Sequence, residues 1–295
     1  MQSIGIIGVG AMGGAVARRL LGLGHPVYVR DIREPAMSAL APLGAIACAS
    51  PAQLAGHCKV VIILVVDAAQ IDDVLFGPGG ALEQLATGSV VVVSSTISPG
   101  NVQSFAHRLS QRGMHALDAP ISGGPAKAEA GTMSMMLAAD AQAQAAAETI
   151  LPLLSQSVFR VSQRPGDGAR YKLLNNILAA VNLCAGAEVM ALGMKMGLDG
   201  ARLLDVIGNS SGASWVVQDR MPRALVGDFA PRAATKILAK DVSLFMELAR
   251  EEKFPALMGS QAMQVFQAAL GNGMAESDDA VLLRLYQRIG ETILR

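Results

Sequence analysis

The feature that most restricts the fold is the start of the chain. Ser3 to Val9 (SIGIIGV) is a short, isoleucine-rich apolar run, the pattern of a buried strand. Gly8, Gly10 and Gly13 follow as G-x-G-x-x-G, and helical spacing runs from Met12 to Leu23. After a turn at Gly24-His25-Pro26 comes a second strand, Val27 to Val29. Asp31 stands at its end, 18 positions beyond the last glycine. A glycine triplet alone says little. Set between strand and helix, with an acid closing the next strand, it points to a dinucleotide-binding βαβ unit. Gly8, Gly10, Ala11, Met12 and Gly13 then form a turn whose backbone approaches a pyrophosphate, and the helix N-terminus faces that negative charge. Asp31 would accept hydrogen bonds from the adenosine ribose and repel a 2′-phosphate, so NAD is the expected cofactor. Arg30 and Arg33 flank Asp31 and either could reach a phosphate, which keeps NADP open.

The strand–helix alternation continues. Val60 to Val66 (VVIILVV) reads as a fully apolar parallel strand. A helix from Ala68 to Phe76 follows, then a strand at Val90 to Val93 that ends in Ser94-Ser95-Thr96. Ser98 can cap a helix to about Arg112, with Pro99 at its first position. Strands at His115–Asp118 and Met133–Ala138, a helix from Ala141 to Leu154 and a last strand at Val158–Val161 complete an α/β fold. It is a doubly wound parallel sheet, which binds ligands at the carboxyl ends of its strands. Val65, Val66 and Thr96 occupy such ends. From Asp118 to Gly131 (DAPISGGPAKAEAG) the chain runs into a loop. The backbone N–H groups of Ser122, Gly123 and Gly124 can form a concave anion site there. The alternative is a plain loop closing the sheet.

Beyond Pro165-Gly166 the strand signal disappears. Helices are expected at 168–196 and at about 199–208, 214–225, 235–252, 256–270 and 276–292. The division is therefore 1–162, a NAD-binding Rossmann domain, and 163–295, an all-helical substrate and oligomerisation domain, joined by a long helix. The segment 168–196 (GARYKLLNNILAAVNLCAGAEVMALGM) is apolar at most positions and free of proline. Its length would suit a membrane span, but Asn175, Asn176, Asn182 and Glu188 favour a core helix covered on most sides. Lys172, Asn175 and Asn176 share one face. They form either a solvated stripe or a catalytic lysine with two amides beside it. Trp215, in the turn Asn209–Trp215, either packs or lines a pocket. Lys240 is a surface residue or faces the cofactor.

Composition excludes several classes. Lys plus Arg and Asp plus Glu are 24 each, so no net charge favours nucleic acid or an anionic membrane surface. Cys48, Cys58 and Cys184 form no CxxC pair and are odd in number, against a disulfide framework. The four histidines, His25, His57, His107 and His115, make no ligand cluster, so no metal site is expected. The N-terminus enters a strand at once, without a basic leader, and a cytoplasmic location is expected. A hydrophobic content of 52% hints at a large helical subunit interface.

Four motifs occur in order: GVGAMGG at 8–14, DAPISGGPAKAEAGTMS at 118–134, GARYKLLNN at 168–176 and KDVSL at 240–244. Through them the chain resembles, over essentially its whole length, the β-hydroxyacid dehydrogenase family, which includes 3-hydroxyisobutyrate dehydrogenase and tartronate semialdehyde reductase. Within it, LVVDAAQIDDVLFG at 64–77, VSSTIS at 93–98 and NSSGASW at 209–215 look most like the branch that oxidises L-threonate. Asn175-Asn176 looks like the hydroxyisobutyrate branch. The resemblance implies that Lys172 is the catalytic lysine, that Asn176 orients the substrate, and that Ser122, Gly123 and Gly124 bind its carboxylate. It further implies that Lys240 contacts the cofactor near the nicotinamide, and that Val65, Val66 and Thr96 line the cofactor cleft. A homodimer or homotetramer built largely by the helical domain is implied as well.

The chemistry then follows. Oxidising an alcohol removes a hydride and a proton. The nicotinamide takes the first, and a base takes the second. A lysine in water holds its proton too tightly for that work; burial and a neighbouring cation loosen it. The expected reaction is NAD-dependent oxidation of a small hydroxy acid of the L-threonate or 3-hydroxyisobutyrate type. Two further readings stay open: an NADPH-dependent reductase of a small semialdehyde such as tartronate or succinic semialdehyde, and a non-catalytic dinucleotide sensor. A decarboxylating enzyme of the 6-phosphogluconate type needs a much larger helical part than the ~130 residues left here.

Overall fold

The computed structural model describes residues 2–292. Two compact units emerge, one up to Lys172 and one from Leu173 on. The first unit holds a nine-stranded sheet: β1 Ile4–Ile7, β2 Val27–Arg30, β3 Ile46–Ala47, β4 Val60–Ile63, β5 Val90–Val93, β6 His115–Asp118, β7 Ile121–Ser122, β8 Ser134–Ala138 and β9 Ser157–Ser162. Its helices are α1 Ala11–Gly22, α2 Glu34–Ser38, α3 Pro51–Ala55, α4 Ala68–Phe76, α5 Pro99–Ser110, α6 Gly124–Ala130, α7 Ala141–Ala146 and α8 Leu151–Leu154. The parallel part runs β3-β2-β1-β4-β5-β6, the doubly wound order. β1, β4 and β5 are buried along their whole length, as strands covered on both faces must be.

Three local details depart from expectation. β4 ends at Ile63 rather than Val66. Leu64 N still donates to Ile7 O, but Asp67 then accepts from Gln70 N and starts α4, while the Gln70 side chain takes Val66 N. Beyond β6 the sheet is mixed. β8 runs antiparallel to both β6 and the two-residue β7, and parallel to β9. The stretch expected as one helix from Ala141 to Leu154 is two, because Pro152 fits only a first turn and starts α8 afresh.

The second unit is helical: α9 Asp167–Lys195, which begins in the first unit, then α10 Gly200–Gly208, α11 Trp215–Leu225, α12 Thr235–Glu251, α13 Leu257–Gly271 and α14 Leu282–Thr292. One face of α9 (Ile177, Ala180, Leu183, Ala187 and Met190) packs into a core with Met221, Val242, Phe266 and Leu282. Gly186 lets α11 approach, since a Cβ there would lie 2.5 Å from the Val217 side chain. Although α9 has the length and composition of a membrane span, this face makes it a core helix of its unit. It is not covered on most sides as expected: Leu174, Leu178, Val189, Leu192 and Met196 form an exposed stripe. The last helix also starts later than position 276. Asp278, fully buried, accepts from Arg232 N, Ala233 N and Ala280 N and pairs with Arg223 at 2.8 Å, which holds the chain in a bridge to Ala234. Residues 279–281 then form a 3-10 turn before α14 begins.

Candidate active site

The sheet register brings the carboxyl ends of the parallel strands into one line. Ile7 pairs with both Arg30 and Ile63, Ile63 with Val93, and Val93 with Asp118. The residues just past these ends are therefore neighbours along one edge: Gly8 after β1, Asp31 after β2, Val65 and Val66 after β4, Thr96 after β5. Val66 and Ala11 are exposed there, while Gly10, Met12, Val65 and Thr96 are half-buried.

The glycine turn is built for close approach. A Cβ on Gly8 would stand 2.6 Å from Leu64 O, and one on Gly13 only 1.9 Å from Gly8 O. No side chain fits at either point. Gly10 is the N-cap of α1 and gives its first turn no side-chain cap, and that turn holds no acidic residue. The orphan N–H groups of Ala11, Met12 and Gly13 thus remain for an anion. The residues present fit a dinucleotide pyrophosphate. Asp31 is buried and fixed: one carboxylate oxygen accepts from Val9 N at 2.8 Å, the other from Arg33 N at 2.9 Å. The two arginines differ in how they meet Asp31. Arg30 Nη1 donates to Asp31 O, whereas Arg33, 65% exposed, pairs with the Asp31 carboxylate at 3.5 Å and has its Nη2 3.3 Å from where a Gly10 Cβ would be.

Ser122 closes β7, and the half-buried Gly123 and Gly124 both have left-handed backbones, φ 129° and 76°. This turn leads into α6, a seven-residue helix that the loop reading missed. α6 packs on α1 through an Arg18–Glu129 pair of 2.8 Å. Asp118, at the end of β6, is 2% exposed and accepts from Gly166 N at 2.7 Å and Ala169 N at 3.1 Å. Burial pushes its carboxyl up to about 6, against the opposing pull of the Ala169, Gly166 and Gly168 N–H groups.

Lys172 lies one turn into α9 and is 7% exposed, so it does not belong to a solvated stripe. Asn175 is exposed and donates to Asn176 Oδ1 at 3.2 Å. In the second unit Asn176 Nδ2 donates to Asp241 Oδ2 at 2.6 Å, and Asp241 Oδ1 pairs with Lys240 Nζ at 2.8 Å. Asp241 is 4% exposed. It joins two expected site residues, Asn176 and Lys240, that sequence spacing left separate. The signal was its place beside Lys240 in KDVSL. Trp215 is half-exposed at the start of α11. Among the described residues no group of three or more His, Cys, Asp or Glu side chains could hold a metal ion.

A glycine-turn cofactor edge followed by a helical unit is the architecture of NAD(P)-dependent oxidoreductases. Residues 3–162 match the family model for the NAD binding domain of 6-phosphogluconate dehydrogenase. Residues 166–286 match that for the NAD-binding region of NADP-dependent 3-hydroxyisobutyrate dehydrogenase. The L-threonate dehydrogenase of Cupriavidus necator is 40% identical over 288 residues, covering 98% of this chain and 97% of that protein. The L-threonate dehydrogenase of Escherichia coli is 33% identical, covering 97% and 95%. A crystal structure of 3-hydroxyisobutyrate dehydrogenase from Salmonella typhimurium superposes with a TM-score of 0.91 at 35% identity, over 97% of this chain and all of that one. The chain belongs to the 3-hydroxyisobutyrate dehydrogenase family of NAD(P)-dependent hydroxyacid dehydrogenases.

Proposed function

We propose that the protein oxidises a small hydroxy acid of the L-threonate type with NAD as acceptor, and that Lys172 takes the hydroxyl proton. The observation that carries the proton role is the burial of Lys172 on α9, one turn before Asn176. The substrate class rests on the 40% identity to an L-threonate dehydrogenase along nearly the whole chain. The nicotinamide, when bound, supplies the hydride acceptor. Ser122, Gly123 and Gly124 offer N–H groups to the substrate carboxylate. Asn176, with one amide hydrogen committed to Asp241 and its oxygen accepting from Asn175, has its remaining N–H fixed in direction for the substrate. Lys172 Nζ receives the proton on oxidation and returns it on reduction. Lys240, tied to Asp241, contributes positive charge toward the nicotinamide side of the cofactor.

Asp31 supports NAD, because its fixed carboxylate can accept ribose hydroxyls. One observation favours a second reading, NADP use: the exposed Arg33 guanidinium beside Gly10. Comparing kcat/KM with the two cofactors decides between them. The exposed stripe of α9 supports a homo-oligomer in which a second copy covers Leu178 and Leu192. Leu178→Glu, at a site 61% exposed, should then lower the mass in light scattering.

Absorbance at 340 nm with L-threonate, D-threonate, glycerate and 3-hydroxyisobutyrate tests the substrate class, with L-threonate expected to be fastest. No NAD reduction with any of them would overturn the reading. Lys172→Ala tests the base. Turnover should fall by about 10²–10⁴ while NADH still binds. Wild-type oxidation should rise with pH, and that limb should vanish in the variant. Retained turnover would return Lys172 to a structural role.

A further inference from the structure

We propose that Asp118 is a positioning residue of the reaction: its carboxylate ties the first turn of α9, and with it Lys172, to the end of β6 from which the Ser122–Gly124 turn departs. This rests on Lys172 as the base. A helix start carries N–H groups without intrahelical partners, and a side chain at its own N-cap usually takes one of them. At α9 the acceptor comes from the sheet instead. Asp118, 48 residues before Gly166, reaches Gly166 N and Ala169 N with the same oxygen, Oδ2. The nearby Asp167 is occupied with Arg164 and Arg170.

The contact is made without any intervening side chain. A Cβ on Gly168 would lie 2.7 Å from Met136 O and 2.9 Å from both Cγ and O of Asp118. The first turn of α9 therefore rests on the end of β6 and the middle of β8, and glycine at 168 is what lets it. Lys172 follows Ala169 by three residues, about 4.5 Å along the helix axis. Ser122 follows Asp118 by four residues. One buried carboxylate thus fixes where two short segments leave the sheet, the one carrying the base and the one offering N–H groups to the substrate carboxylate. Reacting groups tolerate little displacement, since a shift of about 1 Å can cost about a hundredfold in rate.

The test measures kcat, hydroxyacid KM, NADH binding and melting temperature in Asp118→Ala, Asp118→Asn, Gly168→Ala and Lys172→Ala. A positioning role predicts that Asp118→Ala and Gly168→Ala each lower kcat by about 10–10² while NADH affinity stays within about twofold. Asp118→Asn, which keeps one oxygen toward the helix, should recover part of kcat. Gly168→Ala leaves the carboxylate in place and displaces the helix, so it gives the same reading where Asp118→Ala does not fold. A purely structural role lowers the melting temperature and leaves kcat per NADH-binding molecule at the wild-type level in all three, and that result would overturn the proposal. Lys172→Ala separates the two ideas. If it loses turnover while the Asp118 and Gly168 variants keep theirs, positioning fails alone. If it keeps turnover, the base assignment fails and takes this proposal with it.

Discussion

Gly13→Ala tests whether the glycine turn is set by space or by chain freedom. An alanine inside a helix is worth about 1 kcal/mol over glycine, so propensity alone predicts a gain. The contact predicts the reverse, because the new Cβ would stand 1.9 Å from Gly8 O, where real contacts keep at least 3.0 Å. The neighbour is backbone at the end of β1 and cannot rotate away, so α1 must move out by about 1 Å in a close-packed interior. Overpacking of this kind costs about 1–3 kcal/mol. With the propensity gain deducted, a net loss of up to about 2 kcal/mol remains, or up to about 8 °C in melting temperature for a unit of this size. The same displacement spoils the cradle, and NADH should bind at least about tenfold more weakly, about 1.4 kcal/mol. Gly14→Ala is the internal control. Its Cβ would meet Val9 O at 3.4 Å and Arg18 at 3.6 Å, ordinary contact for the most part, so propensity should prevail and the variant should be no less stable than wild type. Thermal melts and NADH fluorescence on both variants decide the matter. Equal melting temperatures and NADH affinities for the Gly13 variant and wild type would refute the close-approach argument.

Ser122→Ala, which keeps the Ser122 N–H but removes the hydroxyl as a further donor to the substrate carboxylate, should raise KM for the hydroxy acid while NADH affinity holds, at about 1.5–3 kcal/mol for a lost bond to a charged group; equal weakening of both would move this turn to the cofactor. Asp241→Ala removes the acceptor shared by Asn176 and Lys240. Steady-state kcat/KM should drop by about 10–100-fold, the size of one buried charged hydrogen bond, and an unchanged value would reduce Asp241 to packing. Asp118 gives a pH signature. Its folded pKa is raised from 3.8 to about 6, so its contribution to stability is fully present below about pH 4 and is lost as pH rises through 6. Asp118→Asn lacks this titration, so its melting temperature relative to wild type should climb between pH 4 and 7; a constant difference would contradict the shift.

Strand and helix positions in the first unit were legible because their signals are local. Val90–Val93 and the helix Ala68–Phe76 fall where expected, since a continuous apolar run or a capping side chain fixes each within a few residues. The errors arise where a distant partner decides. β4 is the local exception, ended at Ile63 by the Asp67 cap that starts α4 and by the Gln70 side chain that accepts from Val66 N. β7 is two residues long and exists only by pairing with β8, twelve or more residues further on. The final helix is delayed by Asp278, whose partners Arg232, Ala233 and Arg223 all lie over forty residues earlier.

The same distinction separates the candidate site residues that were named from those that were missed. The glycine turn is contiguous, and its reason is steric. Asp31 announces itself by standing at a strand end. Lys172 could be found but not weighed, because i, i+3, i+4 spacing is shared by solvated stripes and buried sites. The exposures of Lys172 and Asn175 come from tertiary packing that the pattern does not encode. Asp118 and Asp241 both lie inside sequence motifs, DAPISGG and KDVSL, each beside a residue with a more obvious chemistry. Their work is to accept from groups 48 and 65 residues away. Both are almost wholly buried, and a carboxylate is removed from water only where hydrogen bonds or a counter-charge offset the loss. In this chain the acids that accept from distant groups are therefore recognised by burial, a property of the folded molecule, whereas the groups proposed to meet the cofactor are recognised by their order along the chain.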